Sequence, residues 1–294
     1  MLGEVAALTA AFLWALAALL FSQLGRSLLP LGLNLAKGAI ALLLLALTLL
    51  VLQRPPTGLV GGALVLLLVS GGVGIGLGDT VYFAAINHLG PRRALLLETL
   101  APALAALLAG VGLGEVLSWS AYLGMALTLV GVGWVISQRL PPGAEVSPSP
   151  SYRGIFYGVL AALGQASGAV LSRAALADTS VDPLWSSLLR LVGGLLLITS
   201  LLAGQGQLWP QLKPLGSARV LLLVGLAASL GTYLGIYLQQ VALKYSPTGI
   251  AQALTATSPL FILPMAAFLG DRVTLRAVGG ALVALVGVVL LIKG

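Results

Sequence analysis

Cysteine is absent from this 294-residue chain, and histidine occurs once, at His88. Those two scarcities exclude disulfides, iron–sulfur centres and His/Cys zinc sites. Charge is also scarce: Asp, Glu, Lys and Arg make up 8% of the residues, against about 25% in a soluble domain. No G-x-G-x-x-G follows a soluble strand and no phosphate-binding loop occurs, so no nucleotide, metal or other cofactor is expected. The net charge of +7 is scattered over loop ends. A nucleic-acid binder would gather its Lys and Arg on one face beside polar or aromatic readers, so no nucleic-acid partner is expected.

What the chain does have is oil. Hydrophobic residues make up 59% of it and the mean hydropathy is +1.08. Apolar runs near 3–21, 31–52, 61–86, 92–112, 119–137, 153–175, 182–203, 218–242, 248–269 and 275–292 are each long enough, or nearly so, to cross a bilayer. The expected fold class is all-α, a polytopic membrane protein of ten transmembrane helices with lipids as its surroundings. The first run lacks a basic n-region and an A-x-A site, so it reads as a span and not a cleaved signal. Connections are short, apart from a Pro/Gly/Ser-rich stretch from Leu140 to Ser151 near the midpoint, which has linker composition.

The two sides of that linker match. Leu89-Gly90-Pro91 corresponds to Tyr245-Ser246-Pro247, and Leu113-Gly114-Glu115 to Leu269-Gly270-Asp271; Gly124 and Gly131 correspond to Gly280 and Gly287, all 156 residues apart. Pro102 lies one residue out of that register with Pro259, and Lys37 meets Arg190 at an offset of 153. Each half holds five spans, an odd number, so the second half enters the membrane from the opposite side. That is an inverted repeat, a common basis of alternating-access carriers. The expected division is 1–140, a linker at 141–152, and 153–294.

With Gly90-Pro91, Pro102 and Leu113-Gly114-Glu115 in one half, and Ser246-Pro247, Pro259 and Leu269-Gly270-Asp271 in the other, the chain resembles the EamA-like branch of the drug/metabolite transporter superfamily. The resemblance covers the whole chain. It implies ten helices in two five-helix repeats and carrier-type export of small metabolites such as amino acids, in a prokaryotic inner (cell) membrane. The second-half acid is Asp271 where Glu is more usual. Without a phosphate-binding loop, ATP-driven transport would require a separate subunit.

Four ionisable residues lie inside apolar runs: Lys37, Asp79, Glu98 and Arg190. Such groups at membrane depth are costly and face a partner, a cavity or a path. Counting from the turns, Asp79 and Glu98 sit roughly 14 Å below the same surface, Lys37 roughly 9 Å below it, and Arg190 roughly 12 Å below the other. All four can converge near the midplane. One reading is a carboxylate that takes up a proton while a basic group neutralises the other acid or engages a solute carboxylate. The other is structural: a Lys37–Asp79 or Lys37–Glu98 pair, with Arg190 snorkelling or bonded to carbonyls.

Polar and aromatic stripes supply a candidate lining: Tyr82 and Phe83 beside Asp79; Tyr233, Tyr237 and Gln240; Gln252, Thr255 and Ser258; and Trp14 and Gln165 in mid-span. The alternative is that these groups hydrogen-bond across helices. Trp119, Trp134 and Trp209, near span ends, read as interface anchors. Pro102 and Pro259 either bend for gating or kink statically. Gly71, Gly72, Gly74, Gly76 and Gly78 thin one helix for close packing or for solute room, and Glu115 and Asp271 read as caps of the helices that follow them.

Orientation carries a conflict. Nine Lys and Arg fall on the side opposite the termini and only Arg54, Arg173, Lys244 and Lys293 on the terminal side. The positive-inside rule then puts both termini outside, whereas the resemblance implies both inside. Competing functions are a flippase for lipid-linked or amphipathic substrates and a non-transporting membrane assembly protein. An intramembrane enzyme fits poorly, since the acids are separated and no Ser/His/Cys constellation occurs. Nothing in the sequence selects between a monomer and a homodimer.

Overall fold

A computed structural model describes residues 1–24, 30–89, 94, 97–137, 152–258, 260–261, 265 and 275–293. Among these every regular element is helical. The first half contains α1 (Leu2–Leu24), α2 (Pro30–Val51), α3 (Gly61–Gly71), a π-helical segment (Gly72–Gly78), α4 (Asp79–Leu89), α5 (Ala101–Leu113) and α6 (Trp119–Ser137). The second contains α7 (Tyr152–Leu176), α8 (Pro183–Gly204), the short α9 (Leu208–Leu212), α10 (Ala218–Ala227), a second π-helical segment (Ala228–Leu234), α11 (Gly235–Tyr245), α12 (Thr248–Thr255) and α13 (Leu275–Lys293). Five stretches are long and apolar enough to cross a membrane, and shorter apolar helices accompany them. Large apolar side chains such as Leu43, Leu47, Leu50, Leu222 and Leu282 point outward, a surface suited to lipid and unfavourable in water.

The sequence repeat reappears in the backbone. Apart from the start of α3, which falls one residue out of register, the boundaries of α3, its π segment and α4 recur 156 residues later in α10, its π segment and α11; α6 recurs at the same offset as α13, and α2 recurs as α8 at 153. The matched glycines meet one another. A Cβ on Gly124 would lie 2.8 Å from the Gly287 carbonyl oxygen and 2.8 Å from the Leu291 nitrogen. One on Gly131 would press on Ala284 and Gly280 instead. As α6 advances, its contacts on α13 step backward, so these equivalent helices cross antiparallel at glycine-to-backbone distance.

Two apolar runs are interrupted where sequence reading expected continuous spans. Leu97 and Glu98 are helical, Thr99 and Leu100 form a turn, and helix resumes at Ala101. In the second half α12 ends at Thr255, with a turn at Ala256 and Thr257. Each turn precedes a proline, Pro102 or Pro259 (the latter outside the described residues, like Asp271). Proline has no N–H and its ring displaces the carbonyl four residues back. Those carbonyls belong to Glu98 and Thr255. The chain tightens there through i−3 bonds, Leu100 N to Leu97 O at 3.1 Å and Thr257 N to Leu254 O at 3.2 Å.

The glycine cluster at the end of α3 and through its π segment serves packing. A Cβ on Gly71 would collide with the Arg190 carbonyl, and one on Gly193 with that of Leu68, so α3 and α8 touch backbone to backbone. Gly164 and Gly168 of α7 approach Gly78 and Gly74 in the same way. Trp119, Trp134 and Trp209 are exposed at the bundle surface.

Glu115 caps a helix, but not the one expected. Its Oε2 accepts from Thr248 N at 2.7 Å, at the start of α12 in the other half, and its Oε1 accepts from Arg173 Nε at 2.7 Å. The reason is spatial: the turn after α5 sits beside the turn before α12. Arg173 also donates to the Leu243 and Lys244 carbonyls at the end of α11, groups that a helix leaves unsatisfied.

Candidate functional site

The two π segments open the ladder of backbone bonds in the middle of two long helices, and side chains from other helices take up the carbonyls. Gly74 O accepts from Gln165 Nε2 at 3.4 Å, Ile75 O from Asn34 Nδ2 at 3.3 Å, and Gly231 O from Trp14 Nε1 at 2.7 Å. The i+5 turn widens the helix by one residue and occurs frequently at functional sites. Beside these segments lies a cavity of ≈ 330 Å³, within the range of small-molecule sites, roughly 300–1,000 Å³.

All four buried charges line it. So do Trp14, Tyr82, Gln165, Gln252, Thr255 and Ser258, together with Pro102 and Ala256 at the two helix interruptions. The walls therefore come from both halves. Lys37 Nζ lies 3.2 Å from Asp79 Oδ2, and Gln165 Nε2 donates to Asp79 Oδ1 at 2.9 Å. Both oxygens of Asp79 are thus engaged, and of the expected pairings the Lys37–Asp79 one is formed. Arg190 is 2% exposed and donates from Nη1 to Gln239 Oε1 at 3.1 Å. It does not snorkel. Gln239 Nε2 in turn donates to Gln252 Oε1 at 3.2 Å, and Thr255 Oγ1 donates to the Gln252 carbonyl at 3.0 Å.

Tyr233 and Tyr237 do not line the cavity. The Tyr233 hydroxyl shares a 2.8 Å hydrogen bond with Thr48 Oγ1, Tyr237 packs into the apolar core, and Gln240 accepts from Ser186 Oγ at 2.8 Å. The face that meets the cavity is one residue earlier: Thr232, Ile236 and Gln239. Sequence reasoning missed that stripe because polar residues occupy both faces of this helix, and the π segment shifts the faces relative to a 3.6-residue repeat. Gln239 was the detectable member, a polar group in an apolar run.

The repeat is asymmetric at the site. The position equivalent to Asp79 is Gly235, and a Cβ there would press into the Trp14 indole. The first half thus brings a carboxylate where the second receives an aromatic ring. Among the described residues no cluster of three or more His, Asp or Glu side chains gathers into a metal site.

Comparison with known proteins agrees with this architecture. The family model described as "EamA-like transporter family" matches residues 1–137 and 152–293. A solved structure titled only as a crystal structure of a protein is 19% identical, with a TM-score of 0.77 over 98% of this chain and 95% of its own. That likeness concerns the fold alone. No curated protein matches the chain significantly.

Proposed function

Because the chain belongs to the EamA-like transporter family, we propose that it is a proton-coupled secondary transporter exporting small organic metabolites such as amino acids by alternating access. Its frame in this proposal is ten membrane helices in two inverted five-helix repeats, residues 1–140 and 153–294 about a linker at 141–152, in a prokaryotic inner (cell) membrane. The matched element boundaries and the antiparallel crossing of α6 and α13 support that frame. Repeat-built carriers hold their solute between the halves, at helices interrupted in mid-membrane.

The observation that carries the reading is the meeting of Lys37, Asp79, Glu98 and Arg190 in one cavity, beside helix interruptions at Glu98 and Thr255. Lys37 answers Asp79. Glu98 is then the carboxyl left to exchange a proton, and its place on the last helical turn before a break couples it to local backbone movement.

Flux of an amino-acid and metabolite panel in proteoliposomes, with and without a pH gradient, tests this against Glu98→Gln. Gradient-stimulated flux that the substitution uncouples is the expected result. Flux indifferent to both would remove the proton site and leave facilitated transport. No flux from folded protein would favour the lipid-flipping or assembly alternative.

A further inference from the structure

We propose that Arg190 is the docking point for a carboxylate group of the transported solute. The inference rests on the transporter reading above and names the solute chemistry that this cavity selects.

The argument begins with charge. Of the four charged side chains lining the cavity, Lys37 and Asp79 cancel each other at 3.2 Å. No described carboxylate lies within ion-pair distance of Arg190. A guanidinium keeps its charge and carries five N–H donors. Gln239 engages Nη1, while Nε is buried and has no hydrogen-bond partner. Burying a charge with no carboxylate bonded to it is costly, and while Glu98 holds its proton an incoming anion completes the site.

The surroundings hold the guanidinium ready. Gln239 donates its own N–H to Gln252, which fixes its oxygen toward Arg190. On the other flank Gly74 presents bare backbone: a Cβ there would lie 3.1 Å from Nη2. The close contact of Gly71 with the Arg190 backbone holds α8 against α3, so the side chain emerges at fixed depth. Rigid positioning of this kind suits the two parallel N–H···O bonds that a carboxylate accepts from arginine.

The anion is a monoanion by the same count. With Lys37 and Asp79 cancelling and Glu98 holding its proton, one positive charge remains to meet one carboxylate, whereas a phosphate monoester with about two negative charges would leave an excess in a low-dielectric site.

The test uses matched solutes in proteoliposomes: leucine against leucinamide, phenylalanine against phenylalaninamide, and lactate against lactamide, each corrected for flux into empty vesicles. In at least one pair the wild type should carry the acid about tenfold faster or more, the scale of a lost charge-assisted bond. Arg190→Gln should abolish that preference, and Arg190→Lys, which keeps charge but loses the fork, should restore it in part. The wild-type series stands even if a variant fails to fold. Equal flux of acid and amide overturns the carboxylate site while leaving transport intact. Absence of flux for every pair overturns the transporter reading for such solutes and the site with it.

Discussion

Arg173 Nε donates to Glu115 Oε1 at 2.7 Å, and this pair fastens the second half of the chain to the first at the end of the bundle that carries the termini. Both side chains are largely buried, and Glu115 also holds the free N–H of Thr248. Removing either partner leaves the other desolvated and without its counter-charge. Glu115→Ala should cost about 2 kcal/mol, and Glu115→Gln, which keeps the acceptor, clearly less. A double-mutant cycle with Arg173→Ala, read by unfolding of the detergent-solubilised protein, should show coupling; strict additivity would contradict the pair's role.

The Lys37–Asp79 pair should behave differently when removed singly and together. Asp79→Leu alone removes the counter-charge 3.2 Å from a largely buried ammonium and should cost about 3 kcal/mol. Adding Lys37→Met should return most of that loss, because two apolar side chains replace two desolvated charges. Flux should stay low in the double variant if the pair shapes the solute site. Thermal stability and flux measured side by side separate these effects.

Gly71 and Gly62 lie in the same helix and should answer Ala in opposite ways. At Gly71 the added methyl collides with the Arg190 backbone, whereas at Gly62 nothing lies within 4 Å. Gly71→Ala should destabilise by about 1–3 kcal/mol through forced separation of α3 and α8. Gly62→Ala should be neutral or stabilising by up to about 1 kcal/mol. Melting temperatures of the two purified variants decide it.

Pro102→Ala offers the displaced Glu98 carbonyl an N–H donor and should extend the helix through Thr99 and Leu100. Hydrogen exchange at residues 98–101 should slow, while flux falls if the interruption takes part in the transport cycle. Slower exchange with unchanged flux would make the break a static kink.

How much of this was legible beforehand can be judged from particular residues. Leu-, Val- and Ala-rich runs announced the spans, since backbone in lipid must bond within its own helix. Gly124, Gly131, Gly280 and Gly287 announced the repeat, because only glycine fits where α6 and α13 touch. Pro102 announced a disturbance, though not a break that leaves Glu98 on the final turn. The stripe through Tyr233 and Tyr237 misled, because spacing along a helix identifies a face without saying what that face meets.

Sequence by itself determined that the chain is helical, apolar and repeated, and that four charges had to find a common depth. Those properties follow from transfer energies and periodicity, which are local. Tertiary structure decided that Asp79 goes to Lys37 and Gln165, that Arg190 goes to Gln239 with its Nε unpaired, and that Glu115 caps a helix 133 residues away. Partner choice depends on which helices approach closely enough to exclude water. In this protein glycine contacts, π segments and proline breaks set that approach together.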